Sequence, residues 1–145
     1  MRRSWILLLA LAAAGMVASV GSARGAHPTP RSGALHVTKE CSEYHYQAGE
    51  FCTITASNIE QIRRGMRVVY SQAATPNGLD SDLVLSAVDG HSAAYGHVVL
   101  SSTTSHITFS GGTGDFTGFQ ADATVTQDAA GLWHWDGTYS FAPAT

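Results

Sequence analysis

The sequence has 145 residues, of which 44% are hydrophobic and 13% charged, with a formal net charge of -3. This length suits one domain with a substantial core and is short for two. The weak charge leaves no basic stripe for nucleic acid and no acidic tail for cationic partners, so no nucleic-acid function is expected.

At the N-terminus, Arg2 and Arg3 precede an apolar run from Trp5 to Val20, interrupted by Gly15 and followed by the small residues Gly21, Ser22 and Ala23. A charged region, an apolar region and a small-residue cleavage site are the parts of a secretory signal peptide, expected here over residues 1–23. The apolar run is shorter than the roughly 20 residues a spanning helix needs. Nothing later is continuously apolar, and no membrane association is expected after cleavage. Residues 24–33 hold Pro28, Pro30, Gly25, Gly33, Arg24 and Arg31 without apolar periodicity, which predicts a flexible leader before a single domain over residues 34–145.

Export bears on the cysteines. Cys41 and Cys52 are the only two, and an extracellular, oxidising compartment favours their pairing. Redox motifs usually hold their cysteines two residues apart, and two cysteines with distant histidines do not make zinc spacing.

Asn58 to Arg64 is the one plausible helical turn, with Asn58 as its cap and Gly65 ending it. Beyond it the pattern has period two. Met66, Val68 and Tyr70 share one parity, followed by Leu83 and Leu85, then Gly96, Val98 and Leu100, and then Ile107 and Phe109. The alternation continues through Phe119, Ala121, Ala123 and Val125, and ends with Trp133, Trp135, Tyr139 and Phe141. Turn clusters separate the runs at Pro76-Asn77-Gly78, Asp89-Gly90, Gly111-Gly112-Thr113-Gly114 and Ala129-Ala130-Gly131. An antiparallel sheet of seven or eight short strands, with no long amphipathic helix to cover it, must fold onto itself as a barrel or, alternatively, a β-sandwich.

The stretch from Ile107 through Gly111-Gly112-Thr113-Gly114-Asp115-Phe116 to Phe119, preceded by Tyr95-Gly96-His97, resembles the glycine-rich turn and following strand of the allene oxide cyclase and dirigent protein superfamily. The match is strongest from Ala94 to Phe141. The resemblance implies an all-β fold, a small antiparallel eight-stranded β-barrel with a ligand cavity, and a cyclase-like or dirigent-like activity that steers a reactive intermediate. Read physically, the glycines allow positive φ in a tight corner, and Phe116 anchors that corner in the core. A phosphate cradle would need a following helix, whereas Gly118 to Thr126 alternates as a strand.

With the apolar parity inward, the barrel lining is aromatic and aliphatic, and Gly96, Ala121, Ala123 and Gly137 on the same parity leave room either for a packed core or for one small ligand. Tyr70, Trp133, Trp135 and Tyr139 are the candidate ligand-binding residues, because their hydroxyls and indole N–H groups would orient a hydrophobic guest. The lining is poor in acid and base, so no catalytic residue is assigned. Asp80 and Asp82 fall on the outward parity, although Asp80 would be able to turn in at a barrel mouth. His97, His106 and His134 also lie on the polar parity. A metal site from His97, His134 and Asp136 would need their strands to be neighbours, and neither a metal nor another cofactor is expected. No Gly-x-Ser-x-Gly elbow supports a hydrolase. The expectation is a secreted barrel that binds a small hydrophobic molecule; a cyclase-like or dirigent-like enzyme and a structural cell-surface protein are the alternatives. The polar outer parity favours a monomer or weak homo-oligomer.

Overall fold

The computed structural model describes residues 31–142. The expected signal peptide and most of the expected leader lie outside these residues. Eight strands follow in chain order: β1 (Ser32–Glu40), β2 (Phe51–Ser57), β3 (Arg67–Tyr70), β4 (Leu79–Ser86), β5 (Ala93–Leu100), β6 (Ser105–Thr113), β7 (Phe119–Gln127) and β8 (Trp133–Phe141). Each pairs antiparallel with the next, and β8 returns to β1, so the sheet is a closed barrel. The barrel expectation holds and the sandwich is excluded. Strand β1 starts at Ser32, two residues before the expected start of the domain.

Inward residues alternate with outward ones as the pleat requires. In β7, Phe119, Ala121, Ala123 and Val125 are buried and their intervening neighbours exposed; in β4 the buried set is Leu79, Ser81, Leu83 and Leu85. The middle of the barrel is filled by Trp135 and Phe109, whose rings lie 5.5 Å apart, with Phe119 against Phe109 at 5.6 Å. Gly96 and Gly137 do not leave open volume there, so of the two outcomes left open by the sequence the packed one holds at these positions. A Cβ on Gly96 would lie 2.4 Å from the Thr108 carbonyl oxygen and 2.9 Å from a Phe109 ring carbon. One on Gly137 would lie 2.0 Å from the Asp122 carbonyl oxygen. Both glycines admit close approach of a neighbouring strand, and at Gly96 also of the Phe109 ring that occupies the interior.

The two ends of the barrel differ. One end is plugged by Phe116, fully buried in a 3-10 turn (Gly114–Phe116) and packed on Phe119 at 5.4 Å, together with Ile59, Ile62 and Met66 from the β2–β3 connection. Gly114 has φ +59, and a Cβ there would meet Ser92 Oγ at 2.4 Å, so the corner needs glycine for both conformation and space. The connection carrying Ile59 and Ile62 forms irregular turns rather than the expected helical turn. Asn58 is committed elsewhere: its side chain accepts from the His36 N–H at 2.7 Å and donates to the Ala34 carbonyl at 2.9 Å, tying the segment to β1 instead of capping a helix.

The Cys41–Cys52 disulfide is formed, with Cα atoms 4.3 Å apart, and joins the end of β1 to the start of β2 at the opposite, open end. A loop this short contributes roughly 3 kcal/mol in the chain-entropy model. Phe116 is fully buried against Phe119, so Phe116→Ala is expected to lower the unfolding free energy by about 3–5 kcal/mol. Urea unfolding followed by near-UV circular dichroism checks this; a loss below about 1 kcal/mol would remove Phe116 as the plug.

Candidate functional site

Lys39 is the structure's main departure from the sequence reading. Leu35 and Val37 point into the barrel, and the same parity carries Lys39 inward two residues later, where it is only 4% exposed. A β-bulge assists. Thr38 pairs with Ala56 but Lys39 pairs with Ile54, so Thr55 is the extra residue on β2, and its hydroxyl donates to the Thr38 carbonyl at 3.0 Å. Bulges of this kind re-aim a strand while keeping its inward face. On the other side, Lys39 pairs with Trp133 of β8.

Inside, the ammonium finds no carboxylate among the described residues. Lys39 Nζ donates to Tyr70 Oη at 2.9 Å and contacts Cys41 Sγ at 3.4 Å. It lies 5.4 Å from the Trp133 ring centroid, 5.5 Å from that of Tyr70 and 6.0 Å from that of Trp135. Burial away from water lowers its pKa from 10.5 to about 7. Burial also pushes the Tyr70 hydroxyl up, with the neighbouring Tyr44 adding to it, so Tyr70 stays protonated.

Lys39 forms part of the floor of a pocket of about 550 Å³ at the open end of the barrel. Tyr70 and the disulfide lie beside it, Leu79, Leu100 and Trp133 form the wall, and the β1–β2, β3–β4 and β7–β8 connections form the rim. Tyr44 packs on Tyr70 at 4.9 Å, and its hydroxyl is buried with no hydrogen-bond partner. Tyr46 at the rim is exposed and holds φ +69, a conformation uncommon for a residue with a side chain. Its carbonyl accepts from Ala74 N–H at 3.0 Å, which fixes the β3–β4 connection to the β1–β2 one. Glu40 also borders the pocket, but its carboxylate accepts from the Ser42 N–H at 2.9 Å, and the Ser42 bonds hold its pKa below the usual carboxylate range.

The four aromatic residues expected to bind a ligand do not all meet. Tyr70 and Trp133 line the pocket. Trp135 lies deeper, between Lys39 and Phe109, and Tyr139 packs near Gly33 and Phe141 toward the plugged end. Asp80 faces outward, its side chain 77% exposed and 3.0 Å from His97, rather than turning in at the mouth. His97 is bonded on its other nitrogen to Asp82 at 2.9 Å, and these bonds raise its pKa. The metal trio does not assemble: His97 is on β5 between β4 and β6, His134 pairs with Asp128 at 2.7 Å, and Asp136 pairs with His36 at 2.7 Å. No group of three metal-binding side chains occurs among the described residues.

The sequence also carried a signal for Lys39. Of the eight lysines and arginines, seven are arginine, and Lys39 is the only lysine in the chain. Compared with known protein families, curated proteins and solved structures, the chain finds no match.

The buried amine makes stability depend on pH. The folded protein prefers neutral Lys39 above about pH 7, whereas the unfolded chain holds the proton up to about 10.5, so the cost is full below pH 7 and fades as pH rises between these values. Lys39→Met is therefore expected to stabilise the fold at pH 6 by an amount limited by linkage to about 5 kcal/mol, less about 1 kcal/mol for the lost Tyr70 bond. Most of the gain should vanish by about pH 9.5. Equal gains at both pH values in denaturant titrations would show that Lys39 is not buried as a costly cation.

Proposed function

We propose that the protein is a binding barrel for a small hydrophobic molecule, held at the open mouth with its polar end against Lys39. The observation that carries this reading is a buried amine without a carboxylate partner, set in the floor of an aromatic-walled pocket. An unpaired buried cation costs stability and contributes nothing to packing that a methionine would not. Its position at the floor of a pocket supports a functional role for the amine. The volume of about 550 Å³ falls in the range of small-molecule sites. Tyr44, whose buried hydroxyl has no hydrogen-bond partner, adds a second polar side chain to the pocket lining.

The disulfide supports action outside the cytosol. The closed eight-stranded barrel and the buried Phe116 corner support kinship with the allene oxide cyclase and dirigent barrels as part of the same proposal.

Titration with 2-naphthol tests the binding. Saturable quenching of tryptophan fluorescence is expected, with most of the response lost in Trp133→Phe and the binding abolished by Leu79→Arg, a substitution that fills the mouth. Quenching that rises linearly without saturation, or that survives Leu79→Arg in a variant of unchanged circular dichroism, would overturn the reading.

A further inference from the structure

We propose that Lys39 is a nucleophile that captures small apolar aldehydes as a reversible imine at the floor of the mouth pocket. The inference rests on the binding reading and names the class of ligand that the site takes.

Three features carry it. The first is placement: Nζ is sheltered from bulk water at the floor of a pocket open at one end, where water competes least with a bound carbonyl. The second is residue choice. A carboxylate ligand is served by a permanent cation, and arginine fills seven of the eight basic positions in this chain. The single lysine stands where an amine able to lose its proton is needed, which a guanidinium is not. The third is the Tyr70 hydroxyl, 2.9 Å from Nζ and kept protonated by burial. It can donate a proton to an oxygen leaving from an atom bonded to Nζ. The other ionisable groups near Lys39 supply no negative charge that would hold its proton. Glu40 on its own strand is turned to Ser42, Tyr44 from the β1–β2 connection is neutral, and β8 presents only Trp133 and Trp135. Desolvation with no compensating carboxylate gives about a thousandfold more neutral amine at pH 7 than an exposed lysine has.

The reaction balances without a further reagent. The amine lone pair forms the C–N bond to the carbonyl carbon, and the C=O π pair moves to oxygen, which takes up a proton as nitrogen gives one up. The C–O bond then breaks, the hydroxyl departs as water with a proton from Tyr70, the nitrogen lone pair closes the C=N bond, and Tyr70 regains its proton from nitrogen. One water is released, nothing is oxidised or reduced, and addition of water returns the aldehyde.

The test incubates the disulfide-intact protein with 2-naphthaldehyde and sodium cyanoborohydride at pH 7, followed by peptide mapping in a mass spectrometer. A reduced adduct on the peptide containing Lys39 is expected, formed at least about tenfold faster than on an exposed lysine of a control peptide. Its rate in the unmodified protein should rise through about pH 7 and level off, rather than climbing toward 10.5. Lys39→Met should lose the adduct while keeping the circular dichroism of the unmodified protein. Labelling confined to the N-terminal amine, together with saturable 2-naphthol quenching, would overturn the imine and leave the binding reading standing. Absence of both adduct and saturable quenching would overturn the two together.

Discussion

Closure of the sheet by the β1–β8 ladder is the constraint on which the rest of the molecule depends. Eight successive pairs, from Ser32 with Ser140 to Lys39 with Trp133, remove the two free edges and fix which residues face inward around the whole circuit. A slip of one residue would turn Leu35, Val37 and Lys39 to water and bring His36 and Thr38 inside. The same ladder places Lys39 beside Trp133 and above Trp135, so barrel closure and the electrostatics of the mouth are one structural fact.

The two ends of the barrel share this register but use it differently. At the plugged end, Phe116, Phe119, Ile59, Ile62 and Met66 fill the space with side chains that have no polar atoms to satisfy. At the open end, the inward parity holds a lysine, tyrosines and a disulfide, and packing stops before the mouth is full. The disulfide fits this division. It covalently joins β1 to β2 at the end that carries the pocket, next to the bulge beside Lys39.

Most of the fold was legible in the sequence, because period two records burial on one face directly. The runs from Met66 to Phe141 became β3 to β8, and Gly114 with Phe116 makes the expected corner, whereas Gly111 and Gly112 lie within β6 and Gly112 does not take a positive φ. The site was much less legible. Strand β1 alternates through Leu35 and Val37, but the next inward residue is Lys39, and a charged residue reads as the end of an apolar pattern rather than its continuation. Pairing with β8 holds it inside, and pairing is not visible in a local window. Asn58 misled for a related reason: a residue that caps helices also bridges strands, and only the nearness of β1 decided between them. Gly96 and Gly137 are compatible in sequence with either space or packing, because a missing side chain looks like volume; in the fold that volume is taken by neighbouring backbone.

The buried lysine also clarifies the division of ionisable groups in this small barrel. His36, His97, His106 and His134 each meet a carboxylate on the outer surface, where solvent screens the pair and little stability is at stake. Lys39 is the reverse case, a group taken out of water with a hydroxyl and aromatic rings in place of a counter-charge. Rings attract a cation far more weakly than a carboxylate does and cannot hold its proton in place. The surroundings therefore leave the amine poised between its two protonation states at neutral pH. A carboxylate within reach of Nζ would have made Lys39 a stable cation and ended that balance; among the described residues no ion pair to Lys39 forms, and the choice of state passes to whatever enters the mouth.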